Sequence, residues 1–227
     1  MALALFDLDN TLLAGDSDHL WGEYLAHRGI VDGELYRREN DRFLRMYEEG
    51  SLDIQAFLRF SLDALARHDP ADLHAWRRDF IHEWIRPRIA TGAPDLVARH
   101  RDAGDRLVII TATNRFVTEP IAELLAIDTL IATEPEWRDG RYTGNVAGTP
   151  CFREGKIHRL EQWLASEPVG TPEPLAGSTF YSDSHNDVPL LERVDQPVAV
   201  DPDPKLAATA RARGWPVITL RATADSA

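Results

Sequence analysis

The chain has 227 residues, and its 25 lysines and arginines against 37 aspartates and glutamates give a net charge of −12. This acidic excess repels nucleic-acid phosphates and anionic membrane surfaces, so we expect neither as a partner. Hydrophobic residues make up 44% of the chain, which is enough for a core without disulfide bonds. We expect a cytoplasmic protein, because no leader pattern or membrane-spanning apolar run is present. No motif surrounds the single cysteine, Cys151, so we interpret it as a packed thiol.

Short apolar runs predict six strands that alternate with helices over most of the chain. The strands are expected at residues 3–8, 106–111, 129–132, 179–182, 198–200 and 217–220. Helical patterns occupy residues 95–103, 116–126, 157–165 and 204–213. The alternation indicates an α/β fold, a Rossmann-like parallel sheet with flanking helices. The pair Asp139-Gly140 adds a predicted hairpin turn.

One long segment, residues 16–89, interrupts this alternation with helices alone. Helices are predicted at residues 20–27, 35–49, 54–66 and 71–85. We interpret residues 16–89 as a helical cap domain inserted into a core formed by residues 1–15 and 90–227. The alternative is that these helices form one face of the same core.

The first predicted strand leads directly into Asp7 and Asp9, which are followed by Thr11. Ligands of parallel sheets bind beyond the carboxyl ends of the strands, and Asp7 lies at such an end. This arrangement suits a hard divalent cation, and a carboxylate aimed at phosphorus can act as a nucleophile. Taken alone, the motif also fits a turn with helix-capping carboxylates or the metal-binding pair of a sugar-nucleotide transferase.

Two further positions carry groups that can bind phosphate. Thr111 ends the second predicted strand, and its hydroxyl can donate a hydrogen bond to a phosphoryl oxygen. Lys156 follows Gly155 at the start of a predicted helix, where its charge opposes the helix dipole. A point charge beside a phosphate explains this position better than a surface role. Singly, Thr111 also fits an ordinary strand residue and Lys156 a solvated lysine.

A last pair of acids follows the strand predicted at residues 179–182. Asp183 comes directly after it, and Asp187 lies four residues later, so one helical turn would place both on one side. The alternative is a helix cap followed by an acidic first turn. We interpret His185 as a loop or cap-contact residue, because the other candidate ligands are hard oxygens.

In this order, Asp-x-Asp-x-Thr, Thr, Lys and Asp-x-x-x-Asp, the motifs resemble those of the haloacid dehalogenase superfamily of phosphohydrolases. The resemblance covers nearly the whole chain, and the helical insert is similar to the type I cap of the phosphoserine-phosphatase-like branch, subfamily IB. It implies a magnesium-dependent phosphatase with an aspartyl-phosphate intermediate. The implied roles are nucleophile for Asp7, general acid and base for Asp9, phosphate binding for Thr111, Ala112 and Lys156, magnesium binding for Asp7, Asp183 and the Asp9 carbonyl, and support of that site for Asn186 and Asp187.

The chain departs from the phosphoserine phosphatases at two motifs, so the substrate does not follow from the resemblance. That branch usually has Gly-Asp-Gly-x-x-Asp at the last motif, and serine with two glycines at the second. This chain has Ser-Asp-Ser-His-Asn-Asp at residues 182–187 and Thr-Ala-Thr-Asn at residues 111–114.

The start of the helical segment contains the candidate substrate residues. The resemblance implies that an acid near Asp16 meets the amino group of the substrate, and Ser17 and Asp18 follow it. Alternatively, Asp16 or Ser17 caps the first helix of the segment. A substrate carboxylate would need a cation, for which Arg59 is the nearest candidate. We therefore expect a small amine-bearing phosphorylated metabolite, with histidinol phosphate and phosphoserine as candidates.

Two functions of other classes share part of this pattern. A phospho-signalling receiver also gathers acids, a hydroxyl and a lysine at strand ends, but the chain length, the helical segment and Thr11 after Asp9 argue against it. A non-catalytic phosphometabolite-binding protein is disfavoured because Asp7, Asp9, Lys156 and Asp183 are all present.

Overall fold

A computed structural model describes residues 2–167 and 175–222 of the chain. In chain order its strands are β1 (Leu3–Phe6), β2 (Arg106–Asn114), β3 (Thr129–Thr133), β4 (Pro135–Arg138), β5 (Arg141–Val146), β6 (Thr179–Ser182), β7 (Gln196–Val200) and β8 (Val217–Ile218). β4 and β5 form an antiparallel hairpin, and the other strands form one parallel sheet. The predicted α/β fold class is therefore confirmed.

The sheet order is β3-β2-β1-β6-β7-β8, so β1 lies between β2 and β6. The chain moves from β1 to one side of the sheet and later returns to the other side, which creates a crevice at the carboxyl end of β1. β1 ends at Phe6, earlier than predicted, because Leu8–Leu12 forms a wide helical turn. β2 continues to Asn114, beyond its predicted end.

Between β1 and β2 the chain forms α1 (Ser17–His27), α2 (Gly33–Glu49), α3 (Ile54–Arg67) and α4 (Pro70–Phe80). An aspartate side chain precedes each helix and accepts backbone N–H groups of its first turn. These aspartates are Asp16, Asp32, Asp53 and Asp69. The predicted helix over residues 71–85 ends at Phe80, where a wide turn (Ile81–Ile85) and a 3-10 turn (Arg86–Arg88) lead back to the sheet.

The remaining helices are α5 (Ala93–Asp102), α6 (Arg115–Leu124), α7 (Glu154–Ser166), α8 (Val188–Leu191) and α9 (Pro204–Arg213). Side chains of β1 alternate between the two faces of the sheet. Phe6 packs in the core that contains α5 and α6, whereas Leu5 packs in the core that contains α7, α8 and α9. Both faces of the sheet are covered, as expected of a parallel sheet.

An aromatic cluster joins the helical segment to α6, which packs on the sheet. Trp21 of α1 stacks on Tyr24 and makes edge contacts with Phe80 and with Phe116 of α6. Burial of large aromatic side chains contributes strongly to packing, so α1 is fixed against the core. No helix within the described residues has the length and apolar character of a membrane span.

Two smaller predictions also agree with the structure. Asp139 and Gly140 both have positive φ, 50° and 81°, at the turn between β4 and β5. This is the conformation that a two-residue hairpin turn requires. Cys151 is buried, and burial raises the pKa of its thiol to about 12. The cysteine is thus a packed thiol.

Candidate active site

Three adjacent strands end at one edge of the sheet and bring predicted site residues together. Asp7 follows β1, Asp183 follows β6, and Thr111 lies on β2. The backbone N–H of Asp7 donates to the Tyr181 carbonyl oxygen over 2.9 Å, which extends the pairing of β1 with β6 by one residue. Asp7 is only 4% exposed, so its carboxylate is held at the centre of this edge.

Lys156 links two of the carboxylates. Its Nζ donates to Asp7 Oδ1 over 2.7 Å and to Asp187 Oδ2 over 2.6 Å, and all three side chains are buried. Ser182 Oγ donates to the same oxygen of Asp187 over 2.7 Å. Asp187 therefore positions the ammonium group beside Asp7, the candidate nucleophile.

Steric crowding requires a glycine at position 155, directly before Lys156. A Cβ atom at Gly155 would overlap the carbonyl oxygen of Pro150. Because only glycine avoids this overlap, α7 can begin close to the preceding loop and present Lys156 from its first turn. The Gly-Lys pair at the start of the helix thus serves the placement of the lysine.

The wide turn after β1 sets the position of Asp9, the second aspartate of the first motif. Asp9 has extended backbone angles within this turn (φ −71°, ψ 133°), and Asn10 has a positive φ of 57°. The Asp9 carboxylate accepts the backbone N–H of Ser17 over 2.6 Å and the hydroxyl of Thr113 over 2.7 Å. It therefore lies at the N-terminus of α1, where the helix dipole favours a negative charge.

Thr113 is a site residue that the sequence analysis missed. It lies two positions after Thr111 on β2, and side chains at this spacing point to the same face of a strand. That spacing is the signal that could have identified it. Asn114, the next residue, accepts the Val117 backbone N–H and caps α6.

Thr11 connects the first motif to the last. Its hydroxyl donates to Asp183 Oδ1 over 3.1 Å and accepts the backbone N–H of Asp183 over 3.0 Å. His185 bonds to Asp203 through Nδ1 over 2.7 Å, as expected for a loop-contact residue. The first and last motifs are thus linked by the Thr11 hydroxyl and not by His185.

A second set of contacts ties the end of α2 to the core, and we call it the α2 latch. Donors from the core reach backbone carbonyl oxygens at the C-terminus of α2, where the helix leaves such groups without partners. The pairs are Asn186 with Tyr47, Arg153 with Gly50 and Lys205 with Glu49, at 3.3, 2.7 and 2.7 Å. Asn186 also accepts Arg153 Nε, so it belongs to the latch rather than to the carboxylates it was expected to support.

Burial raises the pKa values of the two central acids. The pKa of Asp7 rises from 3.8 to about 7 because burial and the nearby charges of Asp187 and Asp9 outweigh the attraction of Lys156. The pKa of Asp9 rises to about 6 because burial and the charge of Asp16 outweigh its hydrogen bonds. Both values lie close to neutral pH, a property typical of catalytic carboxyl groups.

The arrangement of acids fits a hard divalent cation. Burial, followed by the charges of Asp7 and Asp187, raises the pKa of Asp183 well above its usual range. Lys156 supplies one positive charge against these three carboxylates, so the cluster retains excess negative charge. Oxygen donors are the ligands that Mg²⁺ prefers. Asp7, Asp183 and the Asp9 carbonyl are the groups that could hold it.

A small cavity of about 50 Å³ opens onto these residues. Asp7, Thr111 and Ala112 line it from the sheet, and aromatic and aliphatic side chains line it from the helical segment. The latter include Phe43, Leu44, Tyr47, Leu52, Ile54 and Phe57. The sequence analysis did not select these apolar residues, although Phe43 and Tyr47 share one face of α2 at the i, i+4 spacing.

The candidate substrate residues fall into two groups. Asp16 and Asp18 line the cavity, and the backbone N–H of Ser17 donates to Asp9. Asp16 also caps α1, because its Oδ1 accepts the backbone N–H groups of Asp18 and His19 over 3.0 and 2.9 Å. Arg59 does not fit its expected role: it lies on the exposed side of α3 and does not line the cavity.

Comparison with known proteins identifies the family of this chain. A family model for haloacid dehalogenase-like hydrolases matches residues 4–192. A histidinol-phosphatase from Neisseria meningitidis serogroup C (strain 8013) is 47% identical over 96% of this chain and 99% of its own length. Phosphoserine phosphatase SerB1 from Mycobacterium tuberculosis (strain ATCC 25618 / H37Rv) is 35% identical over 97% of this chain and 71% of its own length.

Solved structures share the fold. A protein of unknown function from Bordetella pertussis Tohama I has a TM-score of 0.89 at 49% identity, covering 96% of this chain and 98% of its own. A phospho-aspartyl intermediate analogue of phosphoserine phosphatase has a TM-score of 0.69 at 19% identity, covering 97% and 93%. With the family match over most of the chain and two phosphatase relatives above 30% identity, this chain is a phosphatase of the haloacid dehalogenase-like hydrolase family.

Proposed function

We propose that the protein is a magnesium-dependent phosphatase that forms an aspartyl phosphate on Asp7. We further propose that its substrate is a small amine-bearing phosphomonoester, histidinol phosphate rather than phosphoserine. The observation that carries the substrate assignment is the charge of the cavity. Asp7, Asp9, Asp16 and Asp18 line it, and no lysine or arginine of the described residues does so.

This charge pattern discriminates between the two candidates. Both carry an amine, which a carboxylate can bind strongly where water is excluded. Phosphoserine also carries a carboxylate, which would enter a cavity lined by four acids and, among the described residues, by no lysine or arginine to pair with it. Histidinol phosphate carries an imidazole instead, and aromatic side chains such as Phe43 and Tyr47 provide flat apolar walls for such a ring.

The proposed reaction has two steps. A carboxylate oxygen of Asp7 attacks phosphorus, the bond from phosphorus to the substrate oxygen breaks, and Asp9 donates its proton to that leaving oxygen. Asp9 then removes a proton from a water molecule that attacks the phosphorus, which releases inorganic phosphate and restores Asp7. Lys156, the hydroxyl of Thr111 and the backbone of Ala112 would neutralise the charge on the phosphoryl oxygens. Bound magnesium would supply further positive charge next to these oxygens.

We also propose that residues 16–89 act as a cap over a core of residues 1–15 and 90–227. In support, α2 and α3 contribute one wall of the cavity and the sheet edge contributes the other. A lid that excludes water strengthens the electrostatic interactions inside the site.

The relatives support the same assignment. The relative named histidinol-phosphatase is 47% identical to this chain, against 35% for the one named phosphoserine phosphatase. Since the named relatives are phosphatases, the receiver-like and non-catalytic alternatives are disfavoured.

The test is a comparison of kcat/KM for histidinol phosphate, phosphoserine and p-nitrophenyl phosphate, each with magnesium. We expect histidinol phosphate to exceed phosphoserine by at least about tenfold, because an unpaired buried charge costs more than 1.4 kcal/mol. Excess chelator should abolish turnover, and added magnesium should restore it. A preference for phosphoserine would overturn the substrate assignment, and full activity in chelator would overturn the requirement for magnesium.

A further inference from the structure

One carboxylate in the cavity has no role in the chemistry described above. Asp18, in the first turn of α1, is 7% exposed and lines the cavity. Its Oδ2 is buried and has no hydrogen-bond partner. Leaving a buried carboxylate oxygen unpaired is costly, so a group that donates to it from the cavity would be bound favourably.

The neighbouring carboxylates are differently engaged. Asp9 is held by the Ser17 backbone and the Thr113 hydroxyl. Asp16 uses Oδ1 to cap α1. Asp18 therefore differs from both, because its buried oxygen is not committed to holding the fold or to the reacting atoms.

The groups around Asp18 favour a positively charged ligand. Burial raises the pKa of Asp18 well above its usual range, and the charges of Asp16 and Asp9 raise it further. No lysine or arginine of the described residues lines the cavity, and its histidine, His19, lies 3.6 Å from Asp41 through Nε2. A ligand with a cationic N–H group would supply both the missing hydrogen bond and the missing charge.

We propose that Asp18 binds a second cationic nitrogen of the substrate, distinct from the amine that we place near Asp16. Asp18 then selects a phosphomonoester with two cationic nitrogen groups, such as an ammonium and an imidazolium, over one that carries an ammonium alone. This assignment rests on the proposed function.

The test compares three esters: histidinol phosphate with two cationic groups, phosphoethanolamine with one, and p-nitrophenyl phosphate with none. Asp18→Asn preserves the shape of the side chain and removes its charge. We expect the ratio of kcat/KM between histidinol phosphate and phosphoethanolamine to fall at least tenfold in this variant. Asp16→Asn should instead lower both amine esters relative to p-nitrophenyl phosphate.

The matched control is Asp72→Asn. Asp72 is an exposed aspartate in the first turn of α4, outside the cavity, so this change alters the net charge equally and should leave all three ratios unchanged. Equal changes for all three esters in Asp18→Asn would show that Asp18 serves the fold or the general phosphate site, and would overturn the proposal.

A binding measurement separates recognition from turnover. Free histidinol should raise the Tm of the wild-type protein and of Asp72→Asn, and the increase should be at least halved in Asp18→Asn. An unchanged increase overturns the proposal. If Asp18→Asn does not fold, Asp18→Ser replaces it with the same expected results.

The outcomes also separate this proposal from the proposed function. A wild-type preference for histidinol phosphate that Asp18→Asn retains would overturn the role of Asp18 alone. A wild-type enzyme with no preference for amine-bearing esters would overturn the proposed function, and the role of Asp18 with it.

Discussion

Replacing Asp7 with asparagine should remove activity and, in metal-free protein, increase stability. The pKa of Asp7 is raised from 3.8 to about 7, chiefly by burial. Between these pH values the folded protein holds a proton on Asp7 that the unfolded chain has lost. The free energy of unfolding therefore falls as the pH rises through this range. Asparagine is uncharged throughout, so the variant should lack this dependence.

The size of the effect follows from the same shift. A rise in pKa from 3.8 to about 7 lowers the free energy of unfolding of the wild type by about 4 kcal/mol at pH values above 7. This value is an upper bound, because Lys156 loses one of its two charged partners and retains only Asp187. We expect Asp7→Asn to be more stable than the wild type by about 2–4 kcal/mol at pH 8, and about equally stable at pH 4.

The assay is urea denaturation of both proteins in chelator at pH 4, 6 and 8, with Asp72→Asn as the control for net charge. Activity is measured separately on p-nitrophenyl phosphate with magnesium, where a loss on the order of 10⁴-fold or more is expected for a nucleophile. If Asp7→Asn is less stable than the wild type at pH 8, the charge of Asp7 is compensated in the fold and the reasoning fails. Near wild-type turnover would refute the assignment of the nucleophile.

Three other substitutions test separate parts of the site. Thr113→Val removes a hydrogen bond that favours the charged form of Asp9, so the pKa of Asp9 should rise above about 6 and shift the pH–rate profile upward, whereas Thr113→Ser should not. Gly155→Ala should lower the free energy of unfolding by about 1–3 kcal/mol in urea, because the added methyl group overlaps backbone. Burial raises the pKa of Asp203, but hydrogen bonds from His185 and neighbouring backbone outweigh it and lower the pKa below its usual value. Asp203→Asn should therefore cost about 1–2 kcal/mol at pH 7, and this cost should shrink as the pH falls below 3.8 and the folded carboxylate takes up its proton.

The strand-end residues were predictable because their placement depends on topology more than on detailed packing. In a parallel sheet the carboxyl ends of neighbouring strands meet at one edge. Each of Asp7, Thr111 and Asp183 lies on or directly after a short apolar run, so the strand prediction alone places them together. Lys156 was predictable because it follows Gly155 at the start of a predicted helix.

The cavity wall depends on how helices pack, which the spacing of residues only partly determines. Arg59 was selected for its charge, but the apolar positions of α3, among them Leu58, Leu62 and Leu65, define a buried face that excludes it. Thr113 escaped selection because its contact with Asp9 depends on the wide turn after β1. Neither the turn nor its positive φ at Asn10 has a clear signal in the sequence.

The α2 latch has a consequence for the pace of turnover. Any movement of α2 away from the sheet must break hydrogen bonds from Arg153, Lys205 and Asn186 to the same helix end. The part-buried bond from the charged Arg153 contributes about 1.5–3 kcal/mol, whereas the exposed bond from Lys205 contributes less than about 1 kcal/mol. Asn186 also lies next to Asp187, the partner of Lys156. Solvent viscosity should slow the enzyme if lifting of α2 limits the release of phosphate.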